Sequence, residues 1–263
     1  MKQRIITAII AAAIFLPIVI IGGVPLILLA YLLASIALYE LLKMRKLKLF
    51  SVPGLISLIV LWIFLLPNQL QEILIVLKYS KVEVALLAIL LFLTYTVATK
   101  NKFTFDDVAF SIMSIIYIGM GFLYFIEIRE AGGLIYIFYS LFIIWATDSG
   151  AYFIGRAVGK RKLWPEISPN KTVEGFFGGI FCAVIVSVLF VLFSDIDASF
   201  LELGIITIFL SIFGQVGDLV ESALKRHYHV KDSGRLLPGH GGILDRFDSL
   251  LFVWPLLYFF HLI

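Results

Sequence analysis

The chain repeats one feature from end to end: near-continuous apolar runs of the length that crosses a lipid bilayer. A helix needs about 20 apolar residues to span about 30 Å of hydrocarbon. About nine such runs lie near 5–22, 24–42, 52–68, 82–99, 107–126, 134–155, 173–193, 202–224 and 247–262. Strands of a membrane barrel alternate apolar and polar residues, and these runs do not. The expected fold is therefore all-α, a polytopic integral membrane protein with about nine transmembrane helices. Composition agrees, with 61% hydrophobic and 15% charged residues against about 45–50% and about 25% in soluble domains. The net charge of +3 gives no reason to expect a nucleic-acid partner. The one cysteine, Cys182, sits in an apolar run, so neither a disulfide nor a cysteine metal site forms within one chain.

The N-terminus has a basic start (Lys2, Arg4) and an apolar run of roughly 18 residues, longer than the roughly 7–15 of a signal-peptide core. It reads as a first span. Gly22, Gly23 and Pro25 separate it from the second by a tight turn. The third run is interrupted at Pro67, and the amphipathic stretch Gln69 to Tyr79 suits the membrane interface. The chain divides in sequence into an N-terminal membrane region, 1–130, with about five spans, and a C-terminal membrane region, 131–263, with about four spans and the candidate chemistry taken up below.

Basic residues follow every even-numbered run: Lys43, Arg45, Lys46 and Lys48; Lys100 and Lys102; Arg156, Lys160, Arg161, Lys162 and Lys171; Lys225, Arg226, Lys231 and Arg235. The loop after the seventh run carries Asp195, Asp197 and Glu202 instead. The positive-inside rule then places the N-terminus and the even-numbered loops in the cytoplasm. The two largest polar loops, 156–172 and 225–246, fall on that side.

Three polar constellations interrupt the apolar pattern. Asp148 lies well inside the sixth run, where a carboxylate costs about 2.5–3.5 kcal/mol and faces a partner or a cavity. Asp148, Tyr152 and Gly155 share one helix face. A structural interhelical hydrogen bond is the plain alternative. The second constellation runs from Ser168 through Pro169, Asn170, Lys171 and Thr172 to Glu174 and Gly175, with Gly178 and Gly179 beyond. Ser168-Pro169 reads as a turn, Thr172 or Asn170 as a helix cap, and the glycines as close helix packing.

The third constellation is the densest. Asp218, Glu221 and Lys225 share a face at the end of the eighth run, and Asp245 and Asp248 stand one turn apart where the ninth begins. Oxygen ligands without a Cys or imidazole cluster suit Mg²⁺ or another hard cation. Acids, bases and glycines in one short stretch are what phosphoryl chemistry uses. A solvated loop explains the bases but not Asp218 and Asp248, which are embedded in apolar runs.

The segment from Ser222 to Asp248 resembles the phosphatidate cytidylyltransferase (CDP-diacylglycerol synthase) family. The matching residues are Ser222, Lys225-Arg226, Lys231-Asp232, Gly234, Leu237, Pro238, His240-Gly241-Gly242, Asp245-Arg246 and Asp248. The segments 148–156 and 168–175 are similar to the same family, whereas the first five runs match only in being apolar. The resemblance implies transfer of the cytidylyl group of CTP to phosphatidic acid, giving CDP-diacylglycerol and pyrophosphate for phospholipid biosynthesis, with Mg²⁺ and a second cation in some arrangements. It implies Asp218, Asp245 and Asp248 as metal ligands and, with Lys225, as the catalytic set. Lys171, Ser168, Ser222, Arg226, Lys231, Arg235, His240, Gly241, Gly242, Arg246 and Asp148 become substrate-binding candidates. It also suggests a homodimer. A bacterial inner membrane is the default location for so compact a chain, and the basic loops put the active site on its cytoplasmic side.

Two rivals differ in class. CDP-alcohol phosphotransferases carry an i, i+4 aspartate pattern that is absent here. An ion-coupled transporter would use Asp148 and Asp218 as a cation pathway, and leaves the dense C-terminal motif unexplained.

Overall fold

A computed structural model describes residues 2–67 and 80–260. The expected interfacial stretch Gln69 to Tyr79 and the tail of the ninth run lie outside these residues. The described helices are α1 (Lys2–Ile21), α2 (Gly23–Met44), α3 (Val52–Phe64), α4 (Lys81–Ala98), α5 (Phe105–Glu127), α6 (Leu134–Val158), α7 (Val173–Phe193), α8 (Phe200–His227) and α9 (Leu244–Phe259). Each coincides with one of the nine apolar runs. Six are long and apolar enough to cross a membrane: α2, α4, α5 with its π-helical extension to Gly132, α6, α7 and α8. The apolar part of α1 (Ile6–Ile21), α3 and the 16-residue α9 are shorter.

Local chemistry sets the helix ends. Gly22 and Gly23 take positive φ (71° and 57°), which glycine adopts without steric cost, and this breaks α1 from α2. Ser80 and Glu83 form a reciprocal capping box on α4, Ser199 caps α8, and Thr172 caps α7. Each side chain satisfies an amide that the first helical turn leaves without a partner.

The chain packs as two compact units, residues 1–127 with 232–244, and residues 128–231 with 245–263. In the first, the Arg45 guanidinium bonds the Asp107 carboxylate at 2.8 Å. Tyr31 donates to the Trp62 carbonyl, whose indole donates to Ser35.

In the second unit, α7 inverts the pattern of a soluble helix. Its buried face is Gly175, Gly178, Gly179, Ala183 and Ser187, while Phe177, Phe181, Ile185 and Leu192 are exposed. Lipid covers large side chains as well as protein does, so small residues go inward, where backbones approach closely. A Cβ at Gly179 would come within 2.7 Å of the Thr147 carbonyl on α6, and one at Gly175 within 2.7 Å of the Ala151 carbonyl. Valine at position 179 is therefore expected to separate α6 from α7 and to lower stability by about 1–3 kcal/mol. Thermal unfolding in detergent measures this, and an unchanged midpoint would show that the contact is slack. Buried hydroxyls tie α6 to α8 and α9: Tyr139 to Thr207 at 2.7 Å, Thr147 to Ser211 at 2.9 Å, and the Trp254 indole to Ser140 at 3.2 Å.

One expectation is corrected. Ser168-Pro169 is not a turn. Lys162–Trp164 (β1) and Ser168–Thr172 (β2) form a two-stranded antiparallel ribbon with Lys162 opposite Thr172 and Trp164 opposite Ser168. The turn falls between the strands, where the Ile167 amide bonds the Trp164 carbonyl. A two-stranded ribbon has only edge strands, which tolerate the missing N–H of Pro169.

Candidate active site

The ribbon forms one wall of a cavity of about 560 Å³ in the second unit. Helix α6 contributes Asp148, Tyr152 and Gly155, the three residues that the sequence placed on one face. Arg156, Lys160, Lys162, Asn170 and Lys171 add a basic wall, and Phe176, Gln215 and Asp218 close the side toward α7 and α8. The basic loop is held in shape by Glu174, whose carboxylate accepts from the backbone amides of Lys160 and Arg161. Gln215 donates to the Phe176 carbonyl at 3.2 Å. Asp148 is exposed within a helix of membrane-spanning length, and the cavity it lines accounts for a charge that lipid would not tolerate.

Lys171 bonds Asp218 at 2.6 Å, joining the ribbon to α8. Ser222, one turn along, donates to the same carboxylate at 3.4 Å. Deeper, Lys225 lies between two acids. It pairs with Glu221 on its own helix and with Asp245 of α9 at 2.7 Å. The Glu221 and Asp245 side chains are only 1% and 6% exposed, and one oxygen of Glu221 is buried without a hydrogen-bond partner. Asp248 accepts from the Ser249 amide at 2.7 Å. It lies within electrostatic range of Asp218, Asp148 and Lys225, and Asp148 within that of Lys171 and Arg246. A Cβ at Gly217 would press on the Asp248 backbone carbonyl at 2.6 Å, so only glycine lets α8 and α9 approach this closely.

The match from residue 2 to residue 263 to the model of the cytidylyltransferase family decides the affiliation. The chain belongs to the cytidylyltransferase family. It is 61% identical to the phosphatidate cytidylyltransferase of Bacillus subtilis (strain 168) over 98% of this chain and 97% of that protein. To the proteins of the same name from Staphylococcus haemolyticus and Staphylococcus epidermidis it is 54% and 55% identical, again over 98% of this chain and 97% of each relative.

Within this cytidylyltransferase, the second unit brings together Asp148, Lys171, Asp218, Ser222, Lys225, Asp245 and Asp248. Arg226 reaches the ribbon turn through the Ile167 carbonyl at 3.4 Å. Ser168 stands at the start of β2 outside the cavity lining, and Lys231 and Arg246 are exposed. Arg235, His240, Gly241 and Gly242 belong to the first unit, in a loop closed by a bridge between Leu237 and Gly241. Gly239 and Gly241 take positive φ there (78° and 85°). Lys160, Lys162 and Asn170 were not singled out from sequence as binding residues, although the basic run after the sixth span marked two of them.

Five carboxylates against two directly bonded lysines fit a hard cation by donor chemistry. Among the described residues no three His, Cys, Asp or Glu side chains converge closely enough to enclose an ion on their own. Phosphate oxygens and water commonly complete the shell of a magnesium ion.

Proposed function

We propose that this membrane enzyme transfers the cytidylyl group of CTP to phosphatidic acid at the second-unit cavity, on the cytoplasmic side of the membrane. The observation that carries the placement is the cavity itself. A basic wall for phosphates (Arg156, Lys160, Lys162, Lys171) faces carboxylates (Asp148, Asp218) within a unit whose long helices expose large apolar side chains. A phosphatidate oxygen bonds to the α-phosphorus of CTP. The bond from that phosphorus to the α–β bridging oxygen breaks, and its electron pair leaves with pyrophosphate. The attacking phosphate is already ionised at neutral pH, so the reaction requires no strong general base. Positioning and charge stabilisation then supply most of the catalysis.

Asp218 and Asp248 would hold Mg²⁺, with Asp245 braced by Lys225 one turn before Asp248. Held there, Mg²⁺ would supply neutralisation of the triphosphate charge. The Lys171 ammonium, now on Asp218, is placed to exchange that carboxylate for a substrate phosphate. Arg226, Lys231 and Arg246, in the same unit, are further phosphate ligands. The basic even-numbered loops support a cytoplasmic N-terminus and an inner-membrane location, and the family resemblance supports a homodimer.

The reaction is tested with purified protein, phosphatidic acid, Mg²⁺ and CTP labelled at the α-phosphorus. The expected result is label in the lipid fraction, matched one for one by pyrophosphate. Label that stays water-soluble, with an intact folded sample, would overturn the reading.

A further inference from the structure

We infer that Glu40, on α2, is a positioning residue for the catalytic segment, a role that rests on the reaction proposed above. Glu40 lies inside the second apolar run and is 2% exposed, so its charge demands compensation. The compensation comes from one loop of the same unit. Oε1 accepts from the Ile243 amide at 3.0 Å, and Oε2 accepts from the Leu244 amide at 2.9 Å and from the Ser233 hydroxyl at 2.9 Å. One carboxylate thus pins both ends of the loop that carries His240-Gly241-Gly242.

The fit is tight on every side. A Cβ at Gly234 or at Gly242 would collide with the Glu40 carboxylate, which gives these two motif glycines a steric reason. Ser233, Ile243 and Leu244 are themselves buried, so their donors face the carboxylate and not bulk solvent. Leu244 is also the first residue of α9. Glu40 therefore caps the helix that continues directly into Asp245 and, one turn on, Asp248. An anion at a helix N-terminus satisfies free amides and opposes the positive end of the helix dipole. Glu40 touches no reacting atom in this role. It fixes where the loop ends and how α9 begins.

The test compares wild type, Glu40→Ala, Glu40→Gln and Ser233→Ala in lipid nanodiscs. The readouts are kcat, KM for both substrates, and amide hydrogen exchange across residues 233–246. Glu40→Ala is expected to lower kcat on the order of 10²-fold and Glu40→Gln about 10-fold, with KM changed less than about threefold, as for misplaced catalytic groups. Exchange across 233–246 should accelerate while that of α6 and α7 stays as in wild type. Ser233→Ala keeps both amide bonds to Glu40, should fold, and is expected to lower kcat about threefold with a smaller exchange change of the same kind. Wild-type kcat in Glu40→Gln and Ser233→Ala, or unaltered exchange across 233–246 in either, overturns the inference. A wild-type protein that makes no lipid-linked CDP instead overturns the proposed reaction, and the exchange result still decides whether Glu40 anchors the loop.

Discussion

Asp248→Asn is expected to reduce turnover by at least about 10³-fold while leaving the protein folded, the outcome that follows if its carboxylate holds the proposed catalytic cation. Asparagine preserves the size of the side chain and its acceptor oxygen for the Ser249 amide, so the local backbone has no reason to move. What disappears is one negative charge from the group formed with Asp218 and Asp148. Those acids repel one another, so the variant should unfold at the wild-type temperature or slightly above it. Turnover under saturating CTP and the thermal midpoint in detergent are the paired measurements. Near-normal turnover would remove Asp248 from the metal role. Lost turnover together with a large fall in midpoint would make Asp248 a structural residue.

Lys225→Met is expected to damage the enzyme differently. Lys225 stands between Glu221 and Asp245, and the three side chains are 13%, 1% and 6% exposed. Removing the cation leaves two buried like charges facing each other, a change that typically costs about 3–5 kcal/mol. Turnover should fall by on the order of 10²-fold as Asp245 and the start of α9 shift. The double variant Lys225→Met with Glu221→Gln should regain part of the lost stability, because one of the uncompensated charges is gone. If Lys225→Met instead keeps wild-type stability and only weakens CTP binding, Lys225 is a phosphate ligand and not a brace.

These two expectations show how differently the site could be read in advance. The carboxylates were legible because lipid makes a charge in an apolar run conspicuous. Asp148, Asp218 and Asp248 stood out for that reason, and helical spacing alone put Asp148, Tyr152 and Gly155 on the face that lines the cavity. The close α6–α7 packing was legible from Gly175, Gly178 and Gly179. Glu40 is as anomalous as Asp148 by the same criterion, yet its meaning depends on Ser233, Ile243 and Leu244, about 200 positions away in the chain. No local pattern encodes such a partner. The ribbon at 162–172 was hidden for another reason: Ser168-Pro169 is a turn signal wherever both strands of a pair need their amides, and an isolated ribbon does not. Lys160 and Lys162 were visible as charges that orient the chain, but only folding the loop back onto Glu174 turns them toward the cavity. The role of Lys225 was likewise set by folding. Spacing put it on the face of Asp218 and Glu221, while its second acid, Asp245, comes from another helix.

The proposed reaction is cation-dependent cytidylyl transfer at this group of acids and bases. Its most direct measurement is the formation of lipid-linked CDP from α-labelled CTP and phosphatidic acid by the purified wild-type protein, before and after chelation of divalent cations. Product should form with Mg²⁺, stop when the ion is chelated, and resume when Mg²⁺ is restored. Product formation that continues unchanged in excess chelator, or that never appears with Mg²⁺ present, would contradict it.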